Sequence, residues 1–362
     1  MFRLLDGSVD LLNRPSNIEY HRVFDTVKES GRPNFLHGVA VDSWKKRIAV
    51  CFAFNSKDEN SITEELLIRW SDDRGKSWTE AKHIAPPSGH ANSHSVFIST
   101  NDALWCFGPR FNGLGEPPLS SKGFRSIHFL NLQMEAWRYD GCSWKAMGIV
   151  GDDFWPLGAP TRLENGNWLI AGCDTYWFAA AAISNGDDLT HWEVFKPDTH
   201  GEIFTEAAAW ANGNRVLMVM RNQSALTDGK YNAAVALSTD GGRTFGECEL
   251  SNLPMATTKP FCGTLSDGRI YMVFNESILE HPHNRDRMLL GIGSRGGFTL
   301  SKLYVVDEGC FDNQSKRRCS LSYPYAKEID GKLYITYSYE SMPTTGRNHN
   351  DAMLAVIDIK EL

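Results

Sequence analysis

Ser71-Asp72-Asp73-Arg74-Gly75-Lys76-Ser77-Trp78 and Ser238-Thr239-Asp240-Gly241-Gly242-Arg243-Thr244-Phe245 share the pattern Ser-x-Asp-x-Gly-x-x-aromatic, and each directly follows an apolar run. The chemistry suits a hairpin tip: the Asp carboxylate accepts backbone N–H bonds across the turn, the Gly permits positive φ, and the aromatic returns into the sheet. Degenerate copies occur at Tyr139-Asp140-Gly141-Cys142-Ser143-Trp144, at Ser184 to Trp192 (SNGDDLTHW) and at Ser294 to Phe298 (SRGGF). The closing aromatics at 78, 144, 192, 245 and 298 stand 66, 48, 53 and 53 residues apart. A period near 50 is four short strands plus turns, the size of one β-propeller blade.

Between the turns, short apolar or alternating runs recur (HGVAVD, KRIAVCFAF, HSVFIST, RVLMVMRN, KLYITYSY) and helical periodicity is hard to find. The runs divide into blades at approximately 37–84, 94–150, 157–197, 203–250, 258–305 and 320–358. The last has three strands of its own, and Ile18–Thr26 (IEYHRVFDT) is expected to supply the outer one, closing the ring. The fold class is therefore all-β: a single propeller domain over 1–362, six-bladed by count, with seven the alternative if a blade hides in 106–130 or 276–320.

Composition agrees. The 362 residues are 42% hydrophobic and 22% charged, which excludes disordered, collagenous and coiled-coil chains. A formal charge of −7 argues against sequence-independent binding to nucleic-acid phosphates, while a local basic cleft stays open. No run approaches the roughly 20 apolar residues of a membrane span. The amino-terminal MFRLLDGSVDLLNRP has no signal-peptide pattern, so the chain as written is expected in the cytoplasm, or outside it if a leader has been removed. The eight cysteines lie singly, without metal-ligand spacing, and are expected to be reduced thiols.

The Ser-x-Asp-x-Gly-x-x-Trp turn is the motif called the Asp box, and along most of its length the chain resembles the sialidase superfamily of Asp-box (BNR) propellers. The boxes lie on the periphery and specify the fold, so function has to be argued from the axial cleft. There, Glu206 and Arg221 in TEAAAWANGNRVLMVMRN stand at strand ends that a tight turn returns to one rim. The pair resembles the sialidase arrangement in which a Glu holds the catalytic Tyr and an Arg binds substrate carboxylate. Tyr323, in LSYPYAKEIDGKLYITYS, resembles the last-blade tyrosine that enters the cleft. Arg110, Arg287 and Arg318 are candidates to complete an arginine cluster, since guanidinium forks bind both oxygens of a carboxylate. Asp58, in NSKDENS before the first box, is the positional match for the sialidase acid/base.

The first blade departs from the sialidase pattern. Where a sialidase has Arg-Ile-Pro, this chain has Gly31-Arg32-Pro33-Asn34-Phe35-Leu36-His37. His37 and His94, at the same point of adjacent blades, are expected to face each other across the cleft, where imidazoles can move protons near neutral pH. Together with SHSVF, LSYPYAKEIDGKLYITYS and the final NHNDAMLAVI, they look more like the branch that acts on rhamnose linked to glucuronic acid and on ulvan-type polysaccharides. The leading expectation is a lyase cleaving an acidic oligosaccharide next to a uronic acid by β-elimination without a cofactor or metal. Arg221 would neutralise the carboxylate, with Arg110 or Arg318 assisting. His37 or His94 would be the base, and Tyr323 or the other histidine the acid. The alternative is a sialidase-like exo-hydrolase with Tyr323 as nucleophile, Glu206 as activator and Asp58 as acid/base. A third reading is a non-catalytic glycan-binding propeller using Trp105, Trp155, Trp168, Trp177 or Trp210 to stack on sugars.

Overall fold

The computed structural model describes residues 1–7, 12–31, 34–56, 59–277, 285–312, 317–340 and 350–362. Its strands form six antiparallel blades in chain order. The first is Phe35–Trp44, Arg47–Asn55, Glu65–Ser71 and Lys82–Ala85. The fourth, equally regular, is Phe204–Asn212, Arg215–Asn222, Asn232–Ser238 and Glu249–Pro254. In the sixth, Leu321–Ile329, Lys332–Glu340 and Asn350–Asp358 take Ile18–Phe24 as their outer strand, antiparallel to Asn350–Asp358. The innermost strand of the sixth blade lies against that of the first, so the ring closes where the sequence places the closure. Neither 106–130 nor the described part of 276–320 holds a seventh blade. The first carries isolated bridges after its strand, and the second adds only the small pair Phe311–Asp312 with Arg317–Arg318. One feature is new: Leu12–Asn13 adds a parallel fifth strand outside the fifth blade. Among the described residues, no helix is long and apolar enough to cross a membrane.

Every copy of the Asp turn links the third strand of its blade to the fourth. In the first, Ser71 Oγ donates to Asp73 Oδ1 and accepts from Gly75 N, both at 2.8 Å, and Asp73 Oδ1 accepts from Ser77 N at 2.8 Å. The second repeats this between Ser238, Asp240, Gly242 and Thr244 at 2.8–2.9 Å. The box glycine is also where a blade docks on the one before it. A Cβ on Gly75 would stand 2.6 Å from Leu354 in the sixth blade, and one on Gly242 would stand 2.6 Å from Leu169 in the third. The sixth blade has no box because its fourth strand comes from the other end of the chain.

Alternating side chains from facing blades fill the spaces between sheets. Leu163, Leu169 and Ile183 of the third blade meet Val216, Met218 and Met220 of the fourth, with the small residues Ala179, Ala181, Ala207 and Ala209 allowing close approach near the axis. Trp210 is buried and its indole N–H bridges to the carbonyls of Gly263 and Tyr271 in the fifth blade at 3.0 Å each. It is a blade-packing residue and is not available to a sugar.

Candidate active site

The innermost strands are regular except at one level, and that level is where the polar side chains gather. Ladder register shifts between His37 and Ala40, between Thr205 and Ala208, and between Ser322 and Tyr325. At these bulges Gly38, Glu206 and Tyr323 adopt φ of 55°, 42° and 53°, a region that non-glycine residues seldom occupy. In the second blade the innermost strand breaks between Ala91–Asn92 and Val96–Ser99, and His94 sits in the break. A bulge re-aims one side chain out of the alternating pattern. Here the irregularities turn His37, His94, Glu206 and Tyr323 into one cavity of about 230 Å³.

Its lining also includes Glu59, Asn60, Trp155, Trp177, Arg221 and Arg285. The Tyr323 hydroxyl donates to Glu206 Oε1 at 2.5 Å, and Arg221 Nη1 donates to Glu206 Oε2 at 2.7 Å while lying 3.4 Å from the Tyr323 oxygen. Arg221 is further held by Gln223 Oε1 at 3.0 Å and by the Trp177 ring 4.8 Å away. The His37 ring packs on that of Tyr323 with centroids 3.7 Å apart and meets His94 edge-on at 5.4 Å. His94 Nδ1 shares a 2.9 Å hydrogen bond with the Tyr325 hydroxyl, and its carbonyl accepts from the Trp155 indole at 3.1 Å.

Electrostatics assign the protonation states. Burial works to raise the Glu206 carboxyl, but Arg221 and the bonds from Tyr323 and Arg221 outweigh it and hold the group below its ordinary value, so Glu206 is a carboxylate. Burial, then the Glu206 charge, pushes the Tyr323 phenol well above its ordinary value. Burial, then His94 and the cations Arg285, Lys259 and Arg221, holds His37 well below the usual imidazole range, and burial followed by Lys259 does the same to His94. The cavity therefore presents neutral imidazoles and a neutral phenol beside two guanidiniums and the Glu206 carboxylate. Among the described residues, no three His, Cys, Asp or Glu side chains are grouped to hold a metal ion.

A sequence profile of the BNR repeat-like domain matches residues 47–335. The chain belongs to the BNR repeat-like domain family. No curated protein matches this BNR chain. Among solved structures it is similar to a protein of unknown function from Dyadobacter fermentans, at 16% identity and a TM-score of 0.66, covering 94% of this chain and 99% of that one. It is also similar to the intramolecular trans-sialidase of Ruminococcus gnavus in complex with oseltamivir carboxylate, at 12% identity and a TM-score of 0.68, covering 94% and 98%. With the Trypanosoma rangeli sialidase it shares 14% identity at a TM-score of 0.65, covering 97% of the BNR chain but only 59% of the sialidase. At such identities these likenesses establish the sialidase-type propeller fold.

Of the residues singled out in the sequence, the BNR propeller brings His37, His94, Glu206, Arg221 and Tyr323 together. Arg110, Arg287 and Arg318 do not join them. Arg110 lies in a separate groove, with its Nη2 2.6 Å from His90 Nε2. Arg287 is tied to Glu276 and Glu308 at 2.7 and 2.8 Å. Arg318 is exposed and donates to the Gly309 carbonyl at 2.9 Å. Their expected place is taken by Arg285, which faces the Tyr323 ring at 5.6 Å and donates to Thr257 O at 3.2 Å. Asp58 lies outside the described residues, but its neighbour Glu59 lines the cavity, with Oε1 3.7 Å from His37 Nε2. Trp155 and Trp177 reach the cavity, whereas Trp105 and Trp168 pack against the blade core. Lys259 is a further residue the sequence did not single out. Fully buried behind Tyr323, it donates to Pro324 O at 2.9 Å over the Tyr325 ring, and burial drops its amine to about 7.

Proposed function

We propose that this BNR propeller cleaves a glycosidic bond next to a uronic acid by β-elimination. The observation that carries the reading is the close contact of neutral His37 with the neutral phenol of Tyr323, ring centroids 3.7 Å apart and planes tilted by 56°, beside Arg221 and Arg285. Elimination needs a base at C5 and an acid at the O4 leaving group, two neighbouring atoms of one sugar, and a cation at the carboxylate to acidify the C5 proton. Arg285, which pairs with no described carboxylate, binds the uronate with help from Arg221. His37 takes the C5 proton, the released electrons form the C4–C5 double bond, the C4–O4 bond breaks, and Tyr323 protonates the departing oxygen. Arg221 stabilises the phenolate until the imidazolium returns the proton, so no reagent is consumed. That the T. rangeli sialidase holds sialic acid on the same fold supports a carboxylated sugar as ligand.

The 2.5 Å bond from Tyr323 to Glu206 favours a second reading, an exo-hydrolase in which Glu206 draws off the proton as Tyr323 attacks the anomeric carbon. One experiment separates them. The protein is incubated with oligosaccharides that contain a uronate substituted at O4 and with sialylated ones while ultraviolet absorbance and product masses are followed. Elimination gives an absorbing unsaturated uronate lighter by one water than the hydrolytic product, and His37→Ala is expected to lower its rate by about 10²–10⁴. A saturated product, or full activity in His37→Ala, overturns the elimination scheme. No turnover on any member overturns both and leaves a glycan-binding propeller.

A further inference from the structure

Two of the cysteines expected to be independent reduced thiols stand as a pair beside the cavity wall. Cys310 and Cys319 lie at the base of the short antiparallel ladder in which Phe311 faces Arg318 and Asp312 faces Arg317, and the same register sets Cys310 opposite Cys319. Cys319 N donates to Cys310 O at 2.8 Å, and the two sulfurs are 3.0 Å apart, with the Tyr339 hydroxyl 3.1 Å from Cys310 Sγ. Gly309 leaves room for this approach: a Cβ there would stand 2.0 Å from the Cys319 carbonyl oxygen. Cys51 and Cys106 also neighbour each other, but both are sealed in the core. Cys310 is exposed, so this pair can be reached by a reagent.

The ladder is stitched to the arginine wall on both sides of the pair. Gly309 N donates to Asp286 O and Leu321 N to Arg285 O, each at 2.7 Å. We infer that Cys310 and Cys319 are a dithiol–disulfide site whose oxidation cross-links the base of this ladder and stiffens the backbone that carries Arg285. The oxidant is a small disulfide of the glutathione class. The exposed Cys310 thiol loses its proton, attacks one sulfur of that disulfide and expels one thiol. Cys319 then loses its proton and attacks Cys310 Sγ, expelling the second. Two protein thiols are oxidised, one disulfide is reduced to two thiols, and the protons pass to the leaving thiolates. Burial, then the bond to Cys310, lifts the Cys319 thiol to about 11, so the first attack falls to the exposed Cys310, and Cys319 takes the second step through its 3.0 Å proximity to Cys310 Sγ. The site does not depend on which glycosidic reaction the cavity performs.

The test treats the intact protein with oxidised glutathione, digests it with trypsin without reduction, and compares it with a dithiothreitol-treated sample. Cleavage after Lys316, Arg317 or Arg318 separates the two cysteines unless they are linked. The expected product is a peptide pair joined through Cys310 and Cys319, lighter by two hydrogens than the reduced pair and abolished by dithiothreitol. In Cys319→Ser, which blocks the second step, the glutathione adduct should accumulate on Cys310. Amide exchange at Gly309 and Leu321 should slow several-fold on oxidation. Full alkylation of both cysteines after oxidant, or a persistent Cys310 adduct in the wild type, overturns the site. A cross-link with unchanged exchange overturns its action on the Arg285 wall.

Discussion

Glu64 is buried with no cation paired to it among the described residues, and its Oε1 accepts from Ser93 Oγ at 3.0 Å next to the break that holds His94. Burial, then the Glu59 charge, lifts its carboxyl from 4.5 to about 8. The folded chain thus keeps a proton that the unfolded chain releases above 4.5. Stability from this group is full below 4.5 and is lost as pH rises toward 8, by up to about 1.4 kcal/mol per pH unit. Glu64→Gln keeps the shape and removes the titration. Between pH 5 and 8 the denaturant stability of the wild type should therefore fall relative to the variant, by a total approaching about 4 kcal/mol; parallel curves would mean that Glu64 is ionised in the fold. The same scale explains what the sequence could reveal of the site. Glu206 and Arg221 were legible because a tight turn returns their two strand ends to one rim, and Tyr323 through the resemblance of LSYPYAKEIDGKLYITYS to the last-blade motif. Arg285 was not, because a single residue separates it from Arg287, and the choice between a cavity wall and the Glu276–Glu308 pairing is made by tertiary contacts.

At the level of elements, the bulges decide what the cavity contains. Gly38 combines φ of 55° with a backbone position whose Cβ would stand 2.1 Å from His94 Cγ. Gly38→Ala should cost about 2–4 kcal/mol, the left-handed penalty plus displacement of a packed ring. Gly186→Ala, at φ of 61° with nothing within 4 Å, should cost only about 1–2 kcal/mol. Denaturant titration of both separates the clash from the conformation, and equal losses would show that Gly38 serves the backbone alone. Such bulges are almost invisible in sequence. FLHGVAV reads as an ordinary strand with one glycine, and nothing in FTEAAAW or LSYPY announces that Glu206 and Tyr323 take positive φ. The Asp turns were legible for the opposite reason, because their own Ser, Asp and Gly side chains and backbone close the loop without help from distant residues.

The whole ring depends on a strand that comes from the far end of the chain. Ile18–Phe24 covers the outer edge of Asn350–Asp358, and Arg69 reaches across from the first blade to the Val23 carbonyl at 2.7 Å and to Glu29 at 2.7 and 2.8 Å. The incomplete last blade and the unused IEYHRVFDT run made this closure legible; the strand Leu12–Asn13 was not, because two residues in parallel pairing leave no pattern. Removing residues 1–16 takes away Leu12–Asn13 and the buried Leu4 and Leu5 but leaves the ring closed. Removing residues 1–24 also takes away the buried Val23 and Phe24 and leaves Asn350–Asp358 as an open edge. Each of these four side chains contributes about 1.5–3 kcal/mol when buried, so the longer deletion approaches the roughly 5–15 kcal/mol that holds a folded protein together, and an exposed edge recruits other strands. Size-exclusion chromatography with light scattering should find the longer truncation in larger assemblies than the shorter one, with a lower unfolding midpoint. The same assembly state and midpoint for both would mean that the sixth blade is stable with three strands and that Ile18–Phe24 decorates a ring closed by other contacts.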